Sequence, residues 1–509
     1  MIKKLEIDSE KRKKLQELRA AGLDPYPYTY DPTHQAREIN EKYSSLKAGE
    51  HTTHKVTVAG RVLLKRVMGK ASFFHLQDQT GKVQLYLQED TLGKEKYELV
   101  TKKIDTGDIL GVEGTLFKTK LGEVTINVSS YQLLAKSLLL LPEKYHGLQD
   151  IELRYRQRYV DLFVNPEIRQ VFRKRSLMIQ TVRDYFTQQG FLDVETPTLQ
   201  TIYGGASAKP FLTHINAWDM KMYLSISPEL FLKRLLVGGL DKVFTICKNF
   251  RNEDVDPSHN PEFTMLEAYE AYVDYTTMME HMEKVYEKAC VAINGSTTVK
   301  QKYKGEEVVL DFKAPWKRMT VLEAIKHYAD IDVATMSSEH LQKMLLNKHI
   351  EWEGELTWGL GVSRLFEELV EDKLIQPIHI IDHPKETTPL CKAHRKDPRL
   401  IERFESFCVG MELSNAYSEL NDPILQRQLL EEQQRQLHAG QKEAHPLDED
   451  FLNALEYGMP PAGGLGIGID RMALLLTGQD SIRDVMLFPT MKPREEEKGE
   501  RRPGQKGGW

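Results

Sequence analysis

Between residues 55 and 135, apolar and polar positions alternate with a period of two, in runs broken by turn residues. Side chains of an extended strand face opposite sides in turn, so each run predicts a strand with one buried face. The runs are residues 56–62, 71–77, 83–87, 109–117 and 124–128, with Gly81, Gly107 and Gly122 between them. Five short strands so spaced predict a small closed barrel. Parity sends Phe74, Leu76, Val83, Leu85, Leu87, Val124, Ile126 and Val128 inward, and leaves Phe73, His75, Gln84, Tyr86 and Glu123 outside.

Elsewhere the apolar spacing is three and four. Residues 8–22 predict a short helix, with Asp8 or Ser9 as cap, Leu15 and Leu18 as a thin stripe and Gly22 as the stop. Lys11, Arg12, Lys13, Lys14 and Arg19 make it basic, either as a solvated face or as a phosphate-binding one. Residues 172–190 predict a longer helix through Met178, Ile179, Val182, Tyr185 and Phe186, followed by a strand over 191–196 that runs into Pro197. The resulting organisation is a helical segment (1–54), the barrel (55–136), a connector (137–165), a mixed helix-and-strand domain (166–491) and a charged, disordered tail (492–509).

Three constellations in the larger domain carry chemistry. Residues 243–269 read as a hairpin whose return strand puts Phe263, Glu267 and Tyr269 on one face, either a binding face or the polar edge of a half-buried strand. In residues 464–471, Gly464, Gly466 and Gly468 alternate with Leu465, Ile467 and Ile469, and Arg471 follows. Such a strand has an apolar face for the core and a bare face for a ligand or another backbone, and the arginine can meet a phosphate or cover a base. Lastly, Asn415, Tyr417 and Glu419 share a strand face, and Glu405 with Glu412 could hold magnesium or simply be solvated. Glu412 has the opposite parity to Asn415, so a bulge or a late strand start is needed between them.

Composition narrows the class. With 509 residues, 40% hydrophobic and 28% charged, the chain reads as a soluble globular protein of about three domains. No apolar run reaches a membrane span, and the first nine residues lack the apolar core of a secretory leader. Four cysteines without a C-x-x-C pair fit a reducing cytoplasm and argue against disulfides or a zinc site. A net charge of −6 means that any nucleic-acid contact is made by local patches. The outward Phe73 beside Gln84 suits one: the ring stacks on a base and the amide reads its edge, though a barrel also exposes a stray phenylalanine.

These residues together resemble a class II aminoacyl-tRNA synthetase, and within that class the lysyl-tRNA synthetases of bacterial type. Residues 172–197 resemble motif 1. Phe250, Arg251, Asn252 and Glu253 through His259, Asn260, Pro261, Glu262 and Phe263 resemble motif 2, and residues 466–471 resemble motif 3. Residues 204–211, 227–234 and 415–422 resemble family-specific segments, and the similarity runs from about residue 22 to residue 493. The resemblance implies an α+β chain: an N-terminal five-stranded OB-fold barrel, then a catalytic domain of antiparallel sheet flanked by helices. Residues 295–350 would be an insertion between motifs 2 and 3.

Roles follow from the resemblance residue by residue. Arg251 would hold the α-phosphate of ATP and the lysine carboxylate, and Arg471 the γ-phosphate. Phe263 would stack on adenine, with Glu253, His259, Asn260 and Gly468 around the nucleotide, and Glu405 and Glu412 would bind Mg2+. Gly205 and Glu229 would take the α-amino group of L-lysine, Tyr269 and Glu419 its ε-ammonium, with Glu267, Asn415 and Tyr417 lining the rest. Selectivity would follow from Glu419, since in a mostly closed pocket uncharged rivals such as methionine would leave its carboxylate stranded. The barrel would read the anticodon of tRNA(Lys) through Phe73, Gln84 and Glu123, and motif 1 would form a homodimer. Tyr417 stands where some bacterial relatives carry phenylalanine. Three alternatives are an aspartyl- or asparaginyl-type synthetase, a paralogue that lysylates a protein and lacks the barrel, and a non-catalytic RNA-binding relative.

Overall fold

The alternating strands do close on themselves. In the computed structural model, which describes residues 6–141, 148–352, 354–438 and 446–493, they are β1 (His51–Met68), β2 (Ala71–Gln77), β3 (Lys82–Gln88), β4 (Ile109–Lys118) and β5 (Val124–Ala135). The order around the barrel is β1-β2-β3-β5-β4. All eight side chains assigned inward by parity are buried in its core. The chain parts into two units between Gln149 and Asp150, and the barrel belongs to the first.

Three features of this unit were not legible as periodicity. A helix over Lys94–Lys103 contributes only Tyr97 and Val100 to the core, too thin a stripe to stand out among its charges. A second, Ala36–Lys42, buries Ala36 and Ile39. The basic N-terminal helix, Ser9–Ala20, is capped by Asp8 as expected. Part of its charge is neither solvated nor free for phosphate: Lys11 donates to the carbonyls of Thr106 (3.0 Å) and Leu139 (2.9 Å), and Lys14 pairs with Asp105 at 2.8 Å. Beside them Lys136, wholly buried, bridges Asp105 (2.7 Å) and Asp108 (2.8 Å).

The second unit is built on a mixed sheet of eight strands. Chain order runs β6 (Leu192–Asp193), β7 (Leu199–Gln200), β8 (Leu212–Ile215), β9 (Met220–Leu224), β10 (Lys242–Phe250), β11 (Glu262–Ala271), β12 (Thr298–Tyr303) and β13 (Glu306–Asp311). It continues through β14 (Lys317–Thr320), β15 (Ile378–Ile381), β16 (Arg403–Cys408), β17 (Met411–Ser418) and β18 (Ala462–Gly468). The large sheet has the order β14-β15-β16-β17-β18-β11-β10-β6; β7-β9-β8 and β12-β13 form small sheets. Pairing is antiparallel except at the two ends, where β14 lies parallel to β15 and β6 parallel to β10.

One face of this sheet is core. Phe244, Leu266, Ala268, Phe404, Leu413, Ala416, Leu465 and Ile467 pack there against Met178, Val182, Tyr185 and Phe186 of the helix Pro166–Gln188 and against Met278, Met282 and Tyr286 of the helix Tyr275–Asn294. Two expectations need correction. The stretch read as a connector contains helices Ile151–Arg156 and Arg158–Val164, and the buried Arg158 ties them down through Asp161 (2.7 Å) and the carbonyls of Arg483 (2.8 Å) and Met486 (3.1 Å). The stretch read as an insertion supplies β14, the edge strand of the main sheet, whose partner β15 lies some sixty residues on, out of reach of any local pattern. The expected strand over 191–196 is only the two residues of β6, and the expected tail falls outside the described residues beyond Pro493.

Removing one partner of a buried ion pair strands the other. Asp108→Ala is expected to cost the first unit about 3 kcal/mol or more, seen as an earlier urea transition of the barrel in the full-length chain.

Candidate active site

The second face of the large sheet carries polar residues in register. Glu405, Asn415, Gly466 and Glu267 stand opposite one another across β16, β17, β18 and β11, and Arg403, Tyr417, Gly464 and Tyr269 form the next row. Glycine at every second position of β18 leaves the middle of both rows without side chains. A cavity of about 370 Å³ lies over this strip, and fifteen of the sixteen residues expected for the two small substrates line it. The exception is Glu419.

The hairpin β10–β11 supplies one end of the cavity. Arg251 follows β10 directly, its N–H donating to the Pro261 carbonyl at 2.9 Å. Its guanidinium lies 5.1 Å from the centre of the Phe263 ring, so the aromatic face expected to meet adenine rests here on an arginine. Burial lowers the Arg251 pKa, and Glu253, Glu412 and Glu267 pull against that. Its Nε is buried without a hydrogen-bond partner among the described residues, an orphan donor suited to an anion. Asn260 sits on the same loop, where its amide donates to the Glu262 carbonyl at 2.5 Å.

Arg471 is fixed from two sides. It occupies the first turn of the helix Ile469–Leu476, directly after Gly468. One Nη donates to the Glu412 carbonyl (2.6 Å) and lies 3.2 Å from its carboxylate; the other lies 3.3 Å from His259 Nε2, whose Nδ1 is 2.8 Å from Asp256. The bulge needed for Glu412 is present. Ser406 pairs with Ser414 but Phe407 with Glu412, so Leu413 is the extra residue; it turns into the core and lets Glu412 share the cavity with Asn415. Glu405 is paired with Arg403, which also donates to Asn415 Oδ1 at 3.0 Å. Nearby, burial together with Glu405, Glu367 and Glu412 pushes the Glu371 carboxyl up to about 8, a mark of uncompensated negative charge.

The inner end of the cavity is closed and acidic. Tyr417 donates to Glu229 at 3.0 Å, and Glu267 accepts from Ser227 (2.7 Å) and Tyr269 (3.0 Å). Burial, and secondly Glu229, pushes the Glu267 carboxyl up to about 8. Gly205, with φ of +83°, lies so close that a Cβ there would meet the Glu229 Cβ at 2.9 Å. Glu419 lies behind this wall with no exposed surface. Its Oε1 stands over Gly464, where a Cβ would come within 1.9 Å of it.

Glu419 has a partner that the sequence reading did not include: its Oε2 forms an ion pair with Lys233, whose ammonium also lies 2.6 Å from Glu229. Burial and the two carboxylates act in opposite directions on Lys233, and the carboxylates prevail, holding it protonated. Glu419 is in turn pushed up by burial and pulled back by Lys233. The signal for Lys233 was in the sequence, since Glu229 and Lys233 are four apart on one helix and therefore neighbours. Arg403, also missed, alternates with Glu405 on β16 as any cavity-facing pair would.

On the barrel, the outward residues form a continuous patch. Phe73 and Tyr86 are 4.8 Å apart, Tyr86 meets Phe117 at 5.7 Å, and Phe117 stacks on His51 at 4.9 Å. Next to them Gln84 donates to Glu123 at 2.6 Å and accepts from Thr125 at 2.9 Å. Aromatic plates thus adjoin a fixed amide and a carboxylate.

Comparison with known proteins agrees with both halves. Residues 56–134 match the family described as OB-fold nucleic acid binding domain, and residues 150–492 match tRNA synthetases class II (D, K and N). A lysine–tRNA ligase of Pelotomaculum thermopropionicum is 50% identical over 493 residues, 96% of each chain. Those of Syntrophomonas wolfei and Methanoculleus marisnigri are each 49% identical, over 97% and 98% of this chain and 98% and 96% of theirs. The chain belongs to the class II tRNA synthetases of the D, K and N group.

Proposed function

We propose that the protein is a lysine–tRNA ligase, which activates L-lysine with ATP to lysyl-adenylate and transfers lysine to the 3′ end of tRNA(Lys), releasing AMP and pyrophosphate. The observation that carries this reading is the polarity of one cavity. Arg251 and Arg471 line the cavity together with Glu229 and Glu267, and just behind its wall Glu419 shares the Lys233 ammonium with Glu229. An aspartate pocket would need a free cation there, and Lys233 is already engaged by two of the three carboxylates. A non-catalytic relative would have no need for Arg251, Arg471, Glu405 and Glu412 to converge on one cavity.

The chemistry requires no general base. The lysine carboxylate is ionised at neutral pH and attacks the α-phosphorus in line, so what remains is alignment and the offsetting of charge on phosphoryl oxygens. Arg251 does both, since it lines the cavity with an unsatisfied Nε and its guanidinium can span carboxylate and α-phosphate. Arg471 exchanges its contact with the Glu412 carboxylate for the γ-phosphate, while His259 meets its other Nη. Phe263 offers its ring to adenine, with Glu253, Asn260 and Gly468 around it. Glu405 and Glu412 are hard oxygen donors in the range for Mg2+, which takes one or two carboxylates and otherwise phosphate oxygens and water. Bound there, the ion would draw charge from the leaving pyrophosphate.

Glu229 and the close-lying Gly205 receive the α-ammonium, and Glu419 Oε1 the ε-ammonium, with Tyr269 and Tyr417 sealing the cavity from water. A buried carboxylate that loses its cationic partner is costly, which sets lysine apart from uncharged rivals. On the barrel, Phe73 stacks on an anticodon base while Gln84 and Glu123 read its edge. The helix Pro166–Gln188 and the strand after it show Leu177 and Leu192 about half exposed, apolar surface for a second copy in a homodimer. No helix among the described residues is long and apolar enough to cross a membrane, and the four cysteines are free, in keeping with the cytoplasm.

Lysine-dependent ATP–pyrophosphate exchange tests this reading; exchange supported by aspartate or asparagine and absent with lysine would sink it. Arg251→Ala is expected to lower kcat of that exchange by about 100-fold or more. Glu419→Gln should raise the lysine KM by roughly two orders of magnitude with the ATP KM nearly unchanged, measured by varying each substrate in turn. Phe73→Ala should weaken tRNA charging, at about 10-fold for one lost stacking contact, while leaving adenylate formation intact; equal damage to both steps would contradict the assignment of the barrel.

A further inference from the structure

Lys233 has no part in the chemistry described so far, yet it is a fully enclosed cation at the inner end of the site. It lies one turn along the helix Glu229–Val237, has no exposed surface, and its ammonium touches two carboxylates that belong to different elements. The groups that face it are Glu229 from its own helix, Tyr417 and Glu419 from the end of β17, and the buried Cys391 thiol, bridged in the backbone to Glu419; Glu267 and Tyr269 from β11 act on those carboxylates in turn. Arg403 is committed to Glu405 and Asn415, and Arg251 acts on Glu267. A stem of four methylenes under the Tyr417 ring, 5.7 Å from the ammonium, would fill the same space if it ended in a methyl group.

We infer that Lys233 is a specificity-determining residue: its ammonium is the shared counter-ion of two buried carboxylates, Glu229 and Glu419, and fixes Glu419 by one oxygen, so that the pocket presents these two acceptors to a substrate with two ammonium groups. This rests on the lysine-activating reading and deepens it. Lys233 bridges Glu229 and Glu419, and these are the two carboxylates offered to the α- and ε-ammonium groups of lysine; Glu267, pushed up to about 8 chiefly by burial, stands outside that match. The substrate carboxylate is matched separately by Arg251. Oε1 of Glu419 has no hydrogen-bond partner among the described residues, so a single acceptor is offered to a single cationic tip. Without Lys233, Glu229 and Glu419 would be buried beside Glu267 with no counter-ion. Burial favours the neutral acid, so one or more would hold a proton at neutral pH and present a hydroxyl where an anion is needed.

The test uses the full-length enzyme and lysine-dependent pyrophosphate exchange between pH 6 and 9; exchange by the wild type reports on the lysine reading, and the variants report on Lys233. In Lys233→Met the lysine KM at pH 7 should rise about 100-fold, with ATP KM and kcat changed little. Raised carboxyl pKa values mean that binding recovers as pH climbs through them, so the KM should fall at least tenfold from pH 7 to 9 in the variant, against a flatter wild-type profile. The preference for lysine over 2-aminoheptanoate, in which a methyl replaces the ε-ammonium, should shrink in parallel. In Glu419→Gln, Lys233 faces the incoming ε-ammonium with no carboxylate between them. Adding Lys233→Met to that variant, which removes the buried pair as a unit, should therefore lower the lysine KM again, a comparison that holds even if Lys233→Met alone does not fold. A pH-independent rise in KM with unchanged discrimination, or a double variant no better than Glu419→Gln, would mean that Lys233 merely supports the fold and would overturn the inference.

Discussion

Strand β18 lies at the centre of the large sheet, between β17 and β11, and its alternation of glycine with leucine and isoleucine imposes the layout of everything around it. Leu465 and Ile467 lock it into the core on one side. On the other, Gly464 and Gly466 leave a floor of bare backbone, and the polar side chains of the flanking strands can lean over it from left and right. A single Cβ at Gly464 would collide with the Glu419 carboxylate and the Tyr269 ring. The cavity is therefore a consequence of what β18 lacks. Its neighbours supply the chemistry only because that strip is empty of side chains.

Charge is then graded along the floor. Arg471, partly exposed, leans on Glu412 and His259 and can trade partners, while the more enclosed Arg251 rests on the Phe263 ring. At the closed end little surface is exposed, and each acidic group is held by a named donor. Tyr417 and Lys233 hold Glu229, Ser227 and Tyr269 hold Glu267, and Lys233 holds one oxygen of Glu419. The same physics explains both ends. Mobile pairs suit a polyphosphate that arrives and leaves in pieces, while a sealed and counted set of charges suits an amino acid that must be told from its neighbours by one terminal group.

The barrel applies a simpler device to a different ligand. Its core needs every second residue, so the residues between are free to carry plates and hydrogen-bonding groups, and Phe73, Tyr86 and Phe117 form the plate while Gln84 and Glu123 form the reading edge. Lys11 and Lys14, which suggested a nucleic-acid contact by charge alone, serve instead to fasten the first helix to the carbonyls and carboxylates of the barrel. Basic charge in a sequence does not say which oxygens it will meet.

Local order was legible in the chain because it is written in short repeats: the inward and outward faces of the barrel, the hairpin of β10 and β11, the helix ending near Gly190, and the glycine alternation of β18 all follow from periods of two or three to four. Parity between Glu412 and Asn415 asked for a bulge or a late strand start, and packing chose the bulge at Leu413. Contacts across long separations were beyond such patterns. That β14 pairs with β15, that a thin charged helix over Lys94–Lys103 completes the barrel core, and that Lys233 meets Glu419 nearly two hundred residues away depended on how whole elements stack. Periodicity fixes which face a side chain takes; only tertiary packing decides what stands opposite, and in a buried space the opposite group sets whether a carboxylate is a free ligand for substrate or is already half engaged.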